Sequence, residues 1–171
     1  MGQDDQKISR ERYHTIPRTL CFITHGDDVL LLQGAPEKPI WPNQYNGVGG
    51  HIEADEDVYT AARREIREET GLRIEALFLR GTINIPVEAN WGILVFVFTA
   101  ESPTREVYPS EEGLLVWVDR DKLDGLELVE DLPIILPRVL AMAPTDPPFF
   151  AHYSYDEEDR LVVAFADQQT L

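Results

Sequence analysis

A single cysteine, Cys21, leaves no partner for an intrachain disulfide, so covalent staples play no part in the fold. Set in the strand-like run Thr19-Leu20-Cys21-Phe22-Ile23, that thiol reads as a small core residue rather than a nucleophile. Long apolar runs are lacking too. The longest, Trp91 to Ala100, is too short to span a bilayer, and the N-terminal MGQDDQKISRERY has none of the apolar core of a signal peptide. A soluble, cytoplasmic protein with no membrane partner is therefore expected. Basic residues are scarce: 15 against 31 acidic ones give a formal charge of −16, which would repel the phosphates of a long nucleic acid and argues against a polymer substrate. A small polyphosphate is still admitted, because it arrives with a divalent cation that carboxylates can coordinate. What is present, 171 residues of which 43% are hydrophobic and 9% aromatic, suits one globular domain with a sizeable core, as a monomer or homodimer.

The informative stretch is GHIEADEDVYTAARREIREETGL, residues 50–72. Glu65, Glu68 and Glu69 stand at i, i+3 and i+4, so on a helix their carboxylates project from one face about a turn apart. Like charges so placed repel by roughly a few tenths of a kcal/mol per pair, and a divalent cation that gathers their oxygens is the simplest compensation. With oxygen ligands only, and no Cys or His at matching offsets, Mg²⁺ or Mn²⁺ is favoured over Zn²⁺. The competing reading is a plain solvated acidic face. Asp57 is placed to cap the helix, Val58, Ala61, Ala62 and Ile66 form its apolar stripe, and Gly71 can take the left-handed conformation that ends it. Arg64, beside Glu65 and one turn before Glu68, can orient a carboxylate through a bidentate contact or serve as a surface ion pair.

The flanks decide against the solvated face. Gly50, Glu56, Arg64-Glu65-Ile66, Glu68-Glu69 and Gly71-Leu72 keep the offsets of the Nudix box, nine specified positions that coincide by chance on the order of once in 10⁹ starting points. The chain thus resembles the Nudix hydrolases, which cleave nucleoside diphosphates linked to another group. The resemblance implies an α+β fold, the Nudix α/β/α sandwich with a mixed central sheet and a loop-helix-loop box, together with dependence on Mg²⁺ (or Mn²⁺) and attack by water on phosphorus. It implies Glu68 and Glu69 as principal metal ligands, Glu65 as ligand and candidate base, Glu56 as a further ligand or water-mediated contact, and the carbonyl of Gly49 as another ligand. A glutamate outside the box takes part in several members, and Glu112, five residues before Trp117, is the candidate here.

Substrate choice lies outside the box. The order Tyr45-Asn46-Gly47-Val48-Gly49-Gly50, box, Trp117, acidic pair, helix is similar to that of MutT-homologue 8-oxo-dGTP diphosphatases. On that resemblance Asn46 would hydrogen-bond a base and Glu130 or Asp131 would read its edge, while an aromatic that stacks on the base in the mammalian enzyme is here Leu128 or Val129. The competing role for Glu130 and Asp131 is that of helix N-terminal acids favoured by the dipole.

Along the chain, residues 1–15 are polar and aperiodic and read as a loose tail before a single domain over 16–171. Arg18 to Thr24 and Val29 to Gln33 read as a hairpin about His25-Gly26-Asp27-Asp28. The proline-rich Gly34 to Asn46 reads as a stiffened loop whose Trp41 and Tyr45 either line a pocket or cover the core. Strands are predicted over Leu72 to Ile85, Trp91 to Ala100 and Leu114 to Val118, with Pro86 to Asn90 as a turn or longer loop. A second helix is predicted over Asp131 to Met142, kinked or broken at Pro137, and a last hairpin over Phe149 to Tyr155 and Arg160 to Phe165. Three functions remain in play: hydrolysis of a nucleoside triphosphate, oxidised purines included, to monophosphate and pyrophosphate; hydrolysis of a diphosphate derivative such as ADP-ribose, a sugar nucleotide or a dinucleotide; and nucleotide binding without catalysis. The intact box favours the first two.

Overall fold

The computed structural model describes residue 9 and residues 11–110 and 112–166. Most of the expected tail, residues 1–8 and 10, lies outside the described residues, whereas its last two positions belong to the first strand. The strands are β1 (His14–His25), β2 (Asp28–Gly34), β3 (Tyr45–Asn46), β4 (Leu77–Glu88), β5 (Trp91–Glu101), β6 (Gly113–Asp119), β7 (Phe149–Tyr155) and β8 (Leu161–Phe165), with helices α1 (Val58–Thr70) and α2 (Leu132–Ala141).

The strands form one mixed, open sheet in the order β3-β2-β1-β5-β4-β7-β8, with β6 paired along β2. Pairing is parallel for β1 with β5 and β4 with β7, and antiparallel for the other strand pairs. Period-2 alternation sends neighbouring side chains to opposite faces. Cys21, Ile23 and Leu30 meet Ala62 and Ile66 of α1 on one face. Phe22, Val29 and Leu31 meet Leu132, Ile135, Leu136 and Val139 of α2 on the other. A helix on each face of a mixed sheet is the expected α/β/α sandwich. No helix among the described residues is long and apolar enough to cross a membrane.

β1 and β2 pair only from Ile23 to Leu30 around their turn. Beyond it they separate, and the segment 45–51 enters the gap. Asn46 pairs with Leu32 of β2, Val48 exchanges hydrogen bonds with Cys21 (2.7 and 3.1 Å), and Thr19 N–H donates to the Gly50 carbonyl at 2.8 Å. This wedge carries the glycine-rich stretch across β1 to the start of the box.

The elements differ from the sequence reading in several places, the first strand's start at His14 among them. β4 begins at Leu77, not Leu72. Leu72 and Ile74 alternate and are buried, which imitates a strand, but they fill space beneath α1 without joining the ladder. β4 also runs through Pro86 to Glu88, because a bulge between Pro86 and Glu88 accommodates the missing N–H. α2 is continuous across Pro137. An interior proline costs about 3 kcal/mol, while burying Leu132, Ile135, Leu136 and Val139 returns roughly 1.5–3 kcal/mol each, so packing wins. A 3₁₀ turn over Arg120–Gly125, capped by Asp119 Oδ1 accepting from Asp121 N–H at 2.9 Å and anchored by Leu123, was not foreseen.

Candidate active site

The helix that presents the glutamates is capped as its sequence suggests. Asp57 Oδ1 accepts from the N–H groups of Tyr59 and Thr60 at 2.8 and 3.0 Å, and Gly71, at φ 76°, closes the other end with its N–H on the Arg67 carbonyl. Ala61, Ala62 and Ile66 face the core, Glu65 and Glu69 lie against Gly50 and Gly49 of the glycine wedge, and Glu68 is exposed beside Arg64.

Arg64 organises this face. Its Nε and one terminal nitrogen grip both oxygens of Glu56 (3.1 and 2.6 Å), and that nitrogen also donates to the His51 carbonyl at 3.0 Å. The other terminal nitrogen reaches Glu65 Oε1 at 2.8 Å and Glu68 Oε2 at 3.2 Å. The guanidinium therefore holds the Glu56 carboxyl below the ordinary carboxylate range, and the carboxylates, Glu56 foremost, raise the pKa of Arg64 itself. The bidentate contact expected of Arg64 falls on Glu56, not on its sequence neighbours.

A Cβ at Gly50 would lie 2.5 Å from Glu65 Oε1, so a side chain there would push the Glu65 carboxylate aside. At Gly49 a Cβ would collide with the Thr19 carbonyl, and its φ of 155° disfavours other residues. These two positions let the backbone pass between β1 and the box carboxylates.

Glu69 is the most perturbed acid. Burial, followed by the charges of Glu112 and Glu65, pushes its carboxyl up to about 8, although the Gly49 N–H and Lys38 pull the other way. Its Oε2 is buried with no hydrogen-bond partner. Three carboxyl groups thus face one another where one oxygen is unanswered, the chemistry a hard divalent cation fits. Among the described residues no three acidic, His or Cys side chains gather tightly enough to hold an ion jointly. Arg64 instead pairs with Glu56, Glu65 and Glu68, and Glu68 is 61% exposed. Glu112 belongs to the same centre, and Lys38 of the proline-rich loop pairs with its Oε2 at 2.5 Å.

The box opens onto a cleft of about 520 Å³ whose lining includes Trp41, Asn46, Gly49, Glu112, Glu130 and Asp131. Backbone pairing brings these distant positions together. Tyr45 donates to the Glu127 carbonyl at 2.9 Å and accepts from Val129 N–H at 3.0 Å, which sets Asn46 beside Glu130 and Asp131. The Asp131 side chain makes no cap hydrogen bond to α2; its Oδ2 accepts instead from the Tyr153 hydroxyl at 2.8 Å. Burial raises its pKa, with the Tyr153 bond opposing. Glu130 is exposed and accepts from Leu161 N–H at 3.3 Å. Asn46 Oδ1 accepts from Gly47 N–H at 2.8 Å, leaving its amide N–H groups for the cleft. Trp41, 47% exposed at φ 54°, borders the cleft, whereas Tyr45 packs against the α2 core, so the two aromatics divide the alternatives between them.

The sequence reading missed Tyr153 and Tyr155 of β7, the apolar floor of Ile85, Ile93 and Val95, and Arg18. Of Leu128 and Val129, the two positions where the resemblance places a stacking aromatic, Val129 is a buried aliphatic of the lining; the large aromatic rings lining this cleft among the described residues are Trp41, Tyr153 and Tyr155. No local signal marks them, because alternating strand residues look alike until the sheet order is known. Cys21 is a buried core thiol whose pKa is raised by burial above all.

A model of the NUDIX domain matches residues 14–141. The chain is similar to the oxidized purine nucleoside triphosphate hydrolase of Danio rerio, 29% identical over 123 residues that cover 71% of this chain and 78% of that protein. It is also similar to the uncharacterized Nudix hydrolase YvcI of Bacillus subtilis, 34% identical over 117 residues, 64% of this chain and 70% of the other. Among solved structures, a mutator MutT protein from Bacillus halodurans superposes with a TM-score of 0.72 at 25% identity, covering 88% of this chain and 97% of that one.

Proposed function

The chain belongs to the Nudix family, a hydrolase of phosphoanhydride bonds in nucleotide derivatives, and from that premise we propose that its substrate is a nucleoside triphosphate, cleaved to monophosphate and pyrophosphate. The observation that carries this reading is Asp131, a half-buried acid at the start of a helix; its side chain does not cap that helix and is held at the cleft by Tyr153, beside Asn46. Dipole stabilisation alone gives no reason for that arrangement, whereas a base edge offering N–H donors and acceptors does. The similarity to the oxidized purine nucleoside triphosphate hydrolase points to an oxidised purine as the base.

Mg²⁺ or Mn²⁺, when bound, supplies charge stabilisation at the phosphoryl oxygens. Glu69 and Glu68, with Glu65, Glu56 and the Gly49 carbonyl, would hold it. Glu65 and Glu112 are the candidates to take the proton from attacking water, Glu112 having Lys38 as its counter-ion. Arg64 orients Glu56 and Glu65. Asn46 and Asp131 bind the base, with Glu130 and Trp41 also in the lining of the cleft.

The test is product analysis with purified protein and Mg²⁺ on canonical and oxidised nucleoside triphosphates, ADP-ribose and dinucleoside polyphosphates. Pyrophosphate release from a triphosphate supports the reading. Preferential cleavage of ADP-ribose or a dinucleotide replaces it with a diphosphate-derivative hydrolase, and tight nucleotide binding without product replaces it with a binding domain.

A further inference from the structure

Arg18 is a cation in the cleft wall that no group among the described residues answers. It lies on β1 in register with Val95 of β5, is bridged to His51, and lines the cleft. Its Nε is buried without a partner, and its side chain forms no hydrogen bond or ion pair among the described residues. A buried guanidinium N–H without an acceptor is costly. In a chain with 31 acidic residues, an arginine of purely structural purpose would be expected to find a carboxylate. Those lining this cleft are otherwise engaged: Glu112 with Lys38, Asp131 with the Tyr153 hydroxyl, and Glu130 with Leu161 N–H.

The position of Arg18 identifies what it awaits. Across the wedge, Thr19 is bonded to Gly50 and Arg18 is bridged to His51, the end that touches Glu65; Asn46 and Asp131 stand at the other end. The base-reading groups and Arg18 therefore occupy opposite ends of segment 45–51. We propose that Arg18 is a substrate-binding residue whose guanidinium donates to non-bridging oxygens of the diphosphate, on the side of Gly50 away from Glu65. The planar fork matches a phosphate, and the apolar floor of Ile93 and Val95 keeps the contact dry. From the function proposed above this takes only that the ligand carries a diphosphate.

The experiment is calorimetric titration of the full chain with inorganic pyrophosphate, a non-hydrolysable nucleoside imidotriphosphate and an unphosphorylated nucleoside, for wild type, Arg18→Met and Arg18→Lys. Arg18→Met is expected to weaken both phosphate ligands by about 10- to 100-fold, the range for a hydrogen bond to a charged group, while nucleoside affinity holds. Arg18→Lys should recover part of the loss, since it restores charge without the fork. In steady state KM rises and kcat stays within a few-fold, and the thermal midpoint does not fall. Pyrophosphate affinity equal in wild type and Arg18→Met, a loss shared by the nucleoside, a lowered midpoint, or no pyrophosphate binding by wild type would each overturn the assignment. Arg18-dependent pyrophosphate binding in a protein that hydrolyses no nucleotide would instead overturn the hydrolase substrate reading and leave the contact standing.

Discussion

Arg64 uses one planar fork to reach three carboxylates and a backbone carbonyl. A lysine would keep the charge but could not span both oxygens of Glu56 while touching Glu65. Arg64→Lys is expected to weaken Mn²⁺ affinity by about 10- to 100-fold, the usual cost of losing an outer partner of a ligand set, as read by titration calorimetry. Unchanged affinity would show that Glu56 and Glu65 keep their places unaided. Asn46→Ala is expected to alter the ranking of nucleoside triphosphates by kcat/KM more than it lowers the best rate, and an unaltered ranking removes Asn46 from base recognition. Both residues were legible in the sequence because their offsets from other marked residues are fixed. Lys38, Arg18 and Tyr153 were not, because each acquires its meaning from a partner or lining contributed by another part of the chain.

α1 is the element whose local chemistry is most complete. Gly71 sits in the left-handed region at φ 76°, where a Cβ costs about 1–2 kcal/mol, so Gly71→Ala is expected to lower unfolding free energy by that amount in urea denaturation. The new methyl would also meet the ring of Tyr108, but that side chain is 72% exposed and free to swing aside. No loss of stability would mean that the cap contributes nothing to the helix. α1 was readable because its caps, stripe and acidic face obey one period. α2 was readable in extent but not in its continuity, since the strain of Pro137 is local and the apolar contacts that keep the helix unbroken are tertiary. For the same reason Leu72 and Ile74 pass for strand residues: burial alternates there without a neighbouring strand to pair with.

Across the whole molecule, stability should depend on pH through the acids that folding buries. Unfolded, Glu69 ionises near pH 4.3, whereas in the fold its carboxyl keeps its proton to about 8. Between roughly pH 5 and 8 the native state therefore binds more protons than the unfolded one, and stability falls as pH rises through that window. Asp131, raised by burial, acts in the same sense. The thermal midpoint of metal-free protein is expected to decline across the window, with the slope reduced in Glu69→Gln and by added Mg²⁺, which replaces the proton. A midpoint that climbs with pH in wild type and variant alike would remove Glu69 as the buried acid responsible. By itself the sequence determined the family chemistry of one element: carboxylates, arginine and glycines at the offsets of the Nudix box mark a hydrolase of phosphoanhydride bonds, because the interactions that spacing implies run within a turn or two of chain. Tertiary structure alone decided what that site faces. The cleft joins the glycine wedge, β1, β4, β5, β7 and the strip before α2, so its ligand contacts depend on sheet order and on the backbone bonds of Tyr45 with Glu127 and Val129, which no short-range pattern encodes.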